Sequence, residues 1–577
     1  DAYNVAVGYR AGVDISTGVR NIMIGGDAGD ALTIGNYNVA IGYKALSTSV
    51  DGDENVAIGY LALEDYEDGD GNGHNTAVGA RSQREATTGE YNTSLGSLAM
   101  GSGVTTGDVN TALGYQAGKA LTSGAANVFV GGHAGDAITS GGRNVAMGYA
   151  ALSTEDAHGR NIAVGHQALT TQNAGADAYN VAVGYDAGAA ITTGTANTLI
   201  GGLAGDAMTT GGFNVALGYD ALSANTVGNS NIAIGTAALT TNVAADRNVA
   251  IGTQALNAMT SATTLDTYNT AIGYNAGKSV TTGTENTLVG GQAGDALTEG
   301  ARNVALGKSA LSAEDTGSRN VAVGWSALGA LNYDGNGNNT ALGYYAGALM
   351  TTGVNNTLIG GLAGDALTTG SSNIAIGLQA LSTEDAHGLN VAIGHNALAS
   401  LNAGADAYNV AIGHLAGEDL TTGVKNTIIG GLAGDVLTTG SYNVAIGHAA
   451  LSTEDAYGKN TAVGYGALAT LNAAEDGFNV AVGFDAGIQM TTGLKNTIIG
   501  GLAGDALTTG ADNVAIGKSA LSSEDTGSKS VAIGSLALTA QNYNGNSYNT
   551  AVGYAAGLSV TTGDLNTLVG GEAGDSL

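Results

Sequence analysis

One pentapeptide governs this chain. Asn-Val-Ala-Ile-Gly, as it stands at Asn38 to Gly42, returns with conservative variation 33 times, mostly at steps of seventeen residues. The remaining steps are eighteen to twenty-one residues, and nothing in the sequence lies outside these units. Such a chain has no separate domain in which to build an active site. Each unit has to bury its apolar side against the next, so the body is an array. A step this short cannot hold a β-α unit, but it suits two or three short strands joined by tight turns.

Counting the opening Asn as zero, positions one to three are β-formers such as Val-Ala-Val or Thr-Leu-Ile. Position four is Gly in every copy, including Gly42, Gly148, Gly218, Gly377, Gly447 and Gly517. A Gly there predicts a corner that needs positive φ or a close backbone approach. Position seven is Ala nearly throughout, which predicts a crowded interior. Proline is absent, as a chain made of ladders requires, because proline has no N–H to give. The expected fold is all-β: a parallel β-solenoid of about 33 coils, with residues 1–577 forming one continuous array.

From Asn269 a higher order appears. Asn269, Asn339, Asn409, Asn479 and Asn549 open blocks of seventy residues, each of four coils with the last lengthened by two. At one strand spacing of ~4.8 Å per coil, the array is a rod on the order of 160 Å long. The lengthened coils project loops every ~19 Å, at Asn173 to Tyr179, Asn332 to Asn338, Asn402 to Tyr408 and Asn542 to Tyr548.

The opening asparagines predict a ladder in which stacked amides satisfy one another, as at Asn38, Asn144, Asn214, Asn373, Asn443 and Asn513. Ser530 is the single opener that departs. The second half of the coil has two designs. With Gly at position eight (Gly12, Gly205), position eleven is apolar (Ile15, Met208). With Leu at position eight (Leu152, Leu381), position eleven is usually polar (Glu155, Glu384). Either way one large apolar residue fills the core.

Position two lies on the opposite strand face from positions one and three. It is nearly always apolar, as at Phe129, Leu199, Leu288, Leu358, Ile428 and Ile498. Both strand faces therefore read as buried, one in the coil's own core and one against another body. The simplest other body is a copy of the same chain, which makes these six residues the expected self-association face.

Asn-Val-Ala-Ile-Gly, and Ser-Val-Ala-Ile-Gly at Ser530 to Gly534, resemble the head repeats of YadA-like trimeric autotransporter adhesins; similar repeats occur in phage tail fibres. The match covers the first half of every coil and hence the whole length. The resemblance implies a left-handed parallel β-roll, three chains side by side, and attachment at a cell or virion surface outside the cell. It implies no catalytic residues and no cofactor. The chain departs from the family in its longer coil and in lacking a stalk coiled coil and membrane anchor. Both ends read as cut from a longer chain: Asp1-Ala2-Tyr3 repeats the tail seen at Asp406-Ala407-Tyr408, and Asp575 to Leu577 stops inside a unit.

Charge and motifs narrow the partners. A net charge of −31 repels nucleic acid and anionic membranes. Apolar runs are too short for a membrane-spanning helix or signal peptide, and the absence of cysteine excludes disulfides and thiolate metal sites. The pairs Glu155-Asp156, Glu314-Asp315, Glu384-Asp385, Glu454-Asp455 and Glu524-Asp525 are sequence neighbours, not carboxylates facing across a cleft as glycosidases require. They read as solvated turn residues.

Gly201 to Met208 and Gly360 to Leu367 resemble the calcium nonapeptide of RTX proteins. Their aspartates, Asp206, Asp295, Asp365, Asp435 and Asp505, recur several coils apart, which reads against calcium there. The local calcium candidate is Asp68, Asp70 and Asn72, whose oxygens alternate as in a calcium loop but lack the downstream Glu. Position five carries Tyr9, Tyr43, Tyr115, His166, Trp325, His395, His414, His448 and Phe484. These rings could stack on a glycan or shield the glycine corner, and shielding is the preferred reading. The expected protein is a non-enzymatic attachment fibre, an adhesin head or shaft. A phage tail fibre or a self-assembling extracellular filament is the alternative. Its partners are copies of itself and a host receptor or glycan.

Overall fold

In the computed structural model, which describes residues 2–67, 72–261 and 263–577, the chain is a parallel β-solenoid of about 33 turns with no helix among the described residues. Its contacts divide it into two compact units, Asp1–Asn286 and Thr287–Leu577. The first holds sixteen strands, β1 (Val5–Val7) to β16 (Thr270–Ile272), and the second seventeen, β17 (Thr287–Val289) to β33 (Thr567–Val569). Every strand is three residues long, the β-forming triplet between Asn and Gly. Within each unit every strand pairs in parallel with the next, position on position, as in Ile22↔Val39, Met23↔Ala40 and Ile24↔Ile41.

The ladder is made both ways along the axis. Val39 N–H donates to the Asn55 carbonyl of the following coil (2.8 Å), and Gly42 N–H to the Ile24 carbonyl of the preceding one (2.7 Å). Gly42 meets both expectations for a corner. Its φ is +137°, and a Cβ on it would lie 2.3 Å from the Gly59 carbonyl oxygen. Gly148, Gly218, Gly377, Gly447 and Gly517 repeat this at φ of +134° to +142°, with the next coil's glycine backbone 2.2 to 2.6 Å from the missing Cβ. No larger residue could occupy position four without parting the coils.

The remaining bends use ordinary residues in the left-handed region, which the sequence did not announce. In the coil opened by Asn38 these are Lys44 (φ 52°), Leu46 (φ 53°) and Glu54 (φ 54°). Stacking on identical neighbours holds each of them there against a cost of about 1–2 kcal/mol per residue.

Position two faces inward, and this corrects the face assignment. Phe129, Leu199, Leu288, Leu358, Ile428 and Ile498 are fully buried inside their own chain, so they cannot meet another one. The alternation was read correctly, but its inside and outside were exchanged. The physical reason is volume. A seventeen-residue coil encloses a narrow interior, already lined by Ala at position seven, such as Ala45 and Ala151. Ala is the usual residue that fits opposite it at position two, and the bulkier Val, Ile and Leu of positions one and three are left outside.

Where position two is large, space is made by glycine at position eight in the same coil and the one before. Cβ atoms built on Gly118 and Gly135 would lie 2.6 and 2.5 Å from the Phe129 ring. Those on Gly347 and Gly364 would lie 2.7 and 2.9 Å from Leu358. The two coil designs are thus one packing rule: paired glycine coils share an inward Leu, Ile, Met or Phe, and the other coils carry Ala (in one case Ser94) at position two and a buried residue at position eight.

Candidate interaction face

The surface that the fold leaves open is the outer side of the strands. Every position-three residue is Val, Ile, Leu or Met, and every position-one residue is Val, Ile or Thr. The register stacks them in two columns along each unit, as in Ile374↔Val391 and Ile376↔Ile393. Their side chains are half-buried by their neighbours and no more. Leu342 is 46% exposed, Leu217 43% and Ile412 36%. A contiguous apolar strip of this kind is the candidate interaction surface.

The asparagine ladder lies inside. Asn38 is fully buried; its Oδ1 accepts the Asn55 N–H at 2.8 Å, and its Nδ2 donates to the Gly52 carbonyl at 2.7 Å and to Asn21 Oδ1 at 3.2 Å. Asn144, Asn214, Asn373, Asn443 and Asn513 accept from Asn161, Asn231, Asn390, Asn460 and Ser530 in the same way. The amide oxygens are used internally from coil to coil, and among the described residues only the Nδ2 groups of Asn55, Asn161 and Asn320 lack a partner, so the column is structural. At Ser530 the hydroxyl joins Ser547 and the Gln541 amide instead.

The acidic pairs are not solvated turn residues. Glu155, Glu314, Glu384, Glu454 and Glu524 are fully buried, while their Asp neighbours stay at the surface or half-buried. Each such coil precedes a lengthened one, and the carboxylate spans both. Glu314 accepts the Gly317 N–H of its own turn (2.7 Å) and the Tyr333 N–H of the following loop (3.4 Å). Glu384 holds Ala403, Glu454 holds Ala473 and Glu524 holds Tyr543 at 3.3 Å. Burial pushes Glu155, Glu314 and Glu454 above the usual carboxylate range. The sequence clue lay in the order of coils: a Glu at position eleven before each nineteen-residue step.

Burial likewise raises Asp206, Asp365, Asp435 and Asp505. Each stands once per four-coil block, so no ring of carboxylates forms for calcium. Of the local calcium candidate, Asp68 and Asp70 lie outside the described residues. The Asn72 carbonyl accepts the hydroxyl of the buried Tyr66 at 2.8 Å.

Many position-five rings pack on one another, although Tyr9 stands 77% exposed. Tyr149, His166 and Tyr185 stack at 5.5 and 5.1 Å between centroids, and His448, Tyr465 and Phe484 at 5.4 Å. Each triplet is bounded by Gly at position five (Gly132 and Gly202, Gly431 and Gly501), so the middle ring is covered on both faces and each outer ring on one. A second column, which the sequence reading missed, occupies the residue before each Asn. Arg20 lies over the Tyr37 ring (5.1 Å), Lys425 over Tyr442 (5.2 Å) and Lys529 over Tyr548 (5.3 Å). Alternation of cations with Tyr or Phe at that position was its visible signal.

Compared with known protein-family models the chain matches none, and comparison with curated proteins likewise gives no match.

Proposed function

We propose that the chain is a non-enzymatic structural segment of an extracellular attachment fibre, assembled from parallel copies of itself through the outward columns of positions one and three. The observation that carries this reading is the chemistry of that face. Across 33 strands it holds no charged residue, on a chain whose net charge is −31. Selection for solubility alone would place Lys, Glu or Asp on an outward strand face. Three copies, as the resemblance to adhesin head repeats implies, would cover it. The carboxylate pairs support no hydrolase, because the two acids of each pair are chain neighbours, one buried and the other nearer the surface, and do not face each other across a cleft.

The solution mass of the whole chain, by light scattering coupled to size-exclusion chromatography, tests the proposal. A mass of three chains supports the adhesin or tail-fibre reading. A monomer overturns self-association, and open-ended polymers replace the fibre head with a self-assembling filament.

A further inference from the structure

Two of the five buried glutamates stand in the same tetrapeptide, Glu155-Asp156-Ala157-His158 and Glu384-Asp385-Ala386-His387. In both, one ligand atom from each of Glu, Asp and His falls within 4.8 Å of the others. We propose that Glu155, Asp156 and His158, and likewise Glu384, Asp385 and His387, each bind a divalent transition-metal cation of the Zn²⁺ class.

The distances fit. His158 Nδ1 is 3.6 Å from Glu155 Oε1, and His387 Nδ1 is 3.4 Å from Glu384 Oε1. These are long for hydrogen bonds, but close to the ~3.4 Å between neighbouring ligands of a tetrahedral ion with bonds of about 2.1 Å. The polar atoms are also unspent. The Glu155 side chain is 0% exposed, and its Oε2 has no hydrogen-bond partner. The Nδ1 atoms of His158 and His387 are buried and equally without one. At the first site a buried carboxylate oxygen and a buried imidazole nitrogen are left open together, and at the second the imidazole nitrogen alone, since Glu384 accepts the His387 and Ala403 N–H groups. Such buried polar atoms are costly unless something bridges them.

The copies without histidine behave differently. Position fourteen there is Gly317, Tyr457 or Gly527. Glu524 Oε2 is closed by the Gln541 amide at 2.8 Å. Gln172 holds the matching position beside Glu155, yet its amide nitrogen makes no hydrogen bond. The open imidazole nitrogen is common to both histidine copies, whereas the open carboxylate oxygen is found at Glu155. An imidazole with two carboxylates suits Zn²⁺, Co²⁺ or Ni²⁺ better than Ca²⁺. The exposed Asp156 and Asp385 give the ion its entry from solvent and complete the set.

Co²⁺ titration of the whole chain, followed by visible absorption, tests this. The expected result is a d–d band that saturates at two equivalents and is abolished by Zn²⁺. His158→Gln or His387→Gln alone should halve the stoichiometry, and the double variant should lose the band. Asp156→Asn with Asp385→Asn should also lose it if the histidine variants fold poorly. A His395→Gln, His414→Gln variant, which removes the stacked surface pair, should keep both equivalents. The proposal is overturned if the unaltered chain shows no band, if the double histidine variant still binds two ions, or if the surface-pair variant is the one that loses them.

Discussion

The Cβ that Gly188 lacks would lie 2.8 Å from Cδ1 of Leu199 in the following coil, and Gly188 itself holds φ at +60°. Leu199 is therefore the reason for the glycine. Gly188→Ala should destabilise by about 1–3 kcal/mol through overpacking, and Leu199→Ala by about 2–5 kcal/mol through the cavity it leaves. Combined, they should cost clearly less than their sum, because the second change removes the clash created by the first. Thermal unfolding of the three variants measures the coupling; strict additivity would refute the packing rule.

Removing one rung of the amide ladder should have a local effect. Asn38→Ala strips the Asn55 N–H of its acceptor and the Gly52 carbonyl of its donor, at roughly 1–3 kcal/mol for each group left unpaired. Hydrogen exchange should speed up in the coils opened by Asn21, Asn38 and Asn55 and remain slow several coils away, since each coil touches only its neighbours. Asn38→Ser should be milder, as the native Ser530 is accommodated.

Acidification should stabilise the protein before it harms it. Glu155, Glu314, Glu454, Asp206, Asp365, Asp435 and Asp505 are all raised by burial. The folded chain therefore binds these protons more tightly than the unfolded one. That contribution is complete below the ordinary carboxylate pKa and is lost as pH rises through the raised values. The melting temperature should climb from neutral pH toward the ordinary carboxylate range, and relief of self-repulsion among excess acids adds to it. Glu314→Gln with Glu454→Gln should flatten the climb. A melting temperature that falls steadily over that interval would contradict the assignment.

The outward face gives a variant that separates assembly from folding. Leu342 is 46% exposed, so Leu342→Lys should change the stability of a lone chain by no more than about 0.5 kcal/mol. In an assembly held by positions one and three, the same charge should shift the measured mass toward one chain. Leu358→Lys, which places its charge in the core, should instead unfold its coils. Unchanged mass in the Leu342 variant would exclude this face as the contact.

Much of the fold was legible because the repeat states each constraint many times. Gly42 and its equivalents announced a corner, and Asn38 and its equivalents announced a ladder, since one chemical type at one position can serve only one backbone role. Two readings went astray for a common reason. The inside of the strand and the environment of Glu155 both depend on which way a short segment turns, and polarity alone does not give that direction. Ala at position two looked like a surface residue facing a partner, and Glu beside Asp looked solvated. The volume of the coil interior decides the first. The need of a lengthened loop for an acceptor decides the second. Left-handed corners at residues such as Leu46 were invisible, because they are imposed by stacking and not by the residue's own preference.

The pairing of glycine coils has a consequence for how such a chain can change length. An inward Leu358 needs a glycine coil before it and its own glycine beside it, and a buried Glu384 needs a lengthened coil after it. Within the seventy-residue blocks a single coil cannot be removed or duplicated without leaving one of these residues facing the wrong neighbour, whereas the run of Ala coils at Asn214, Asn231 and Asn248 holds an extra one. The smallest piece that can be copied with every contact restored at its seams is the four-coil block. Within the second unit, the blocks are in effect the graduations of a measuring stick, in steps of ~19 Å.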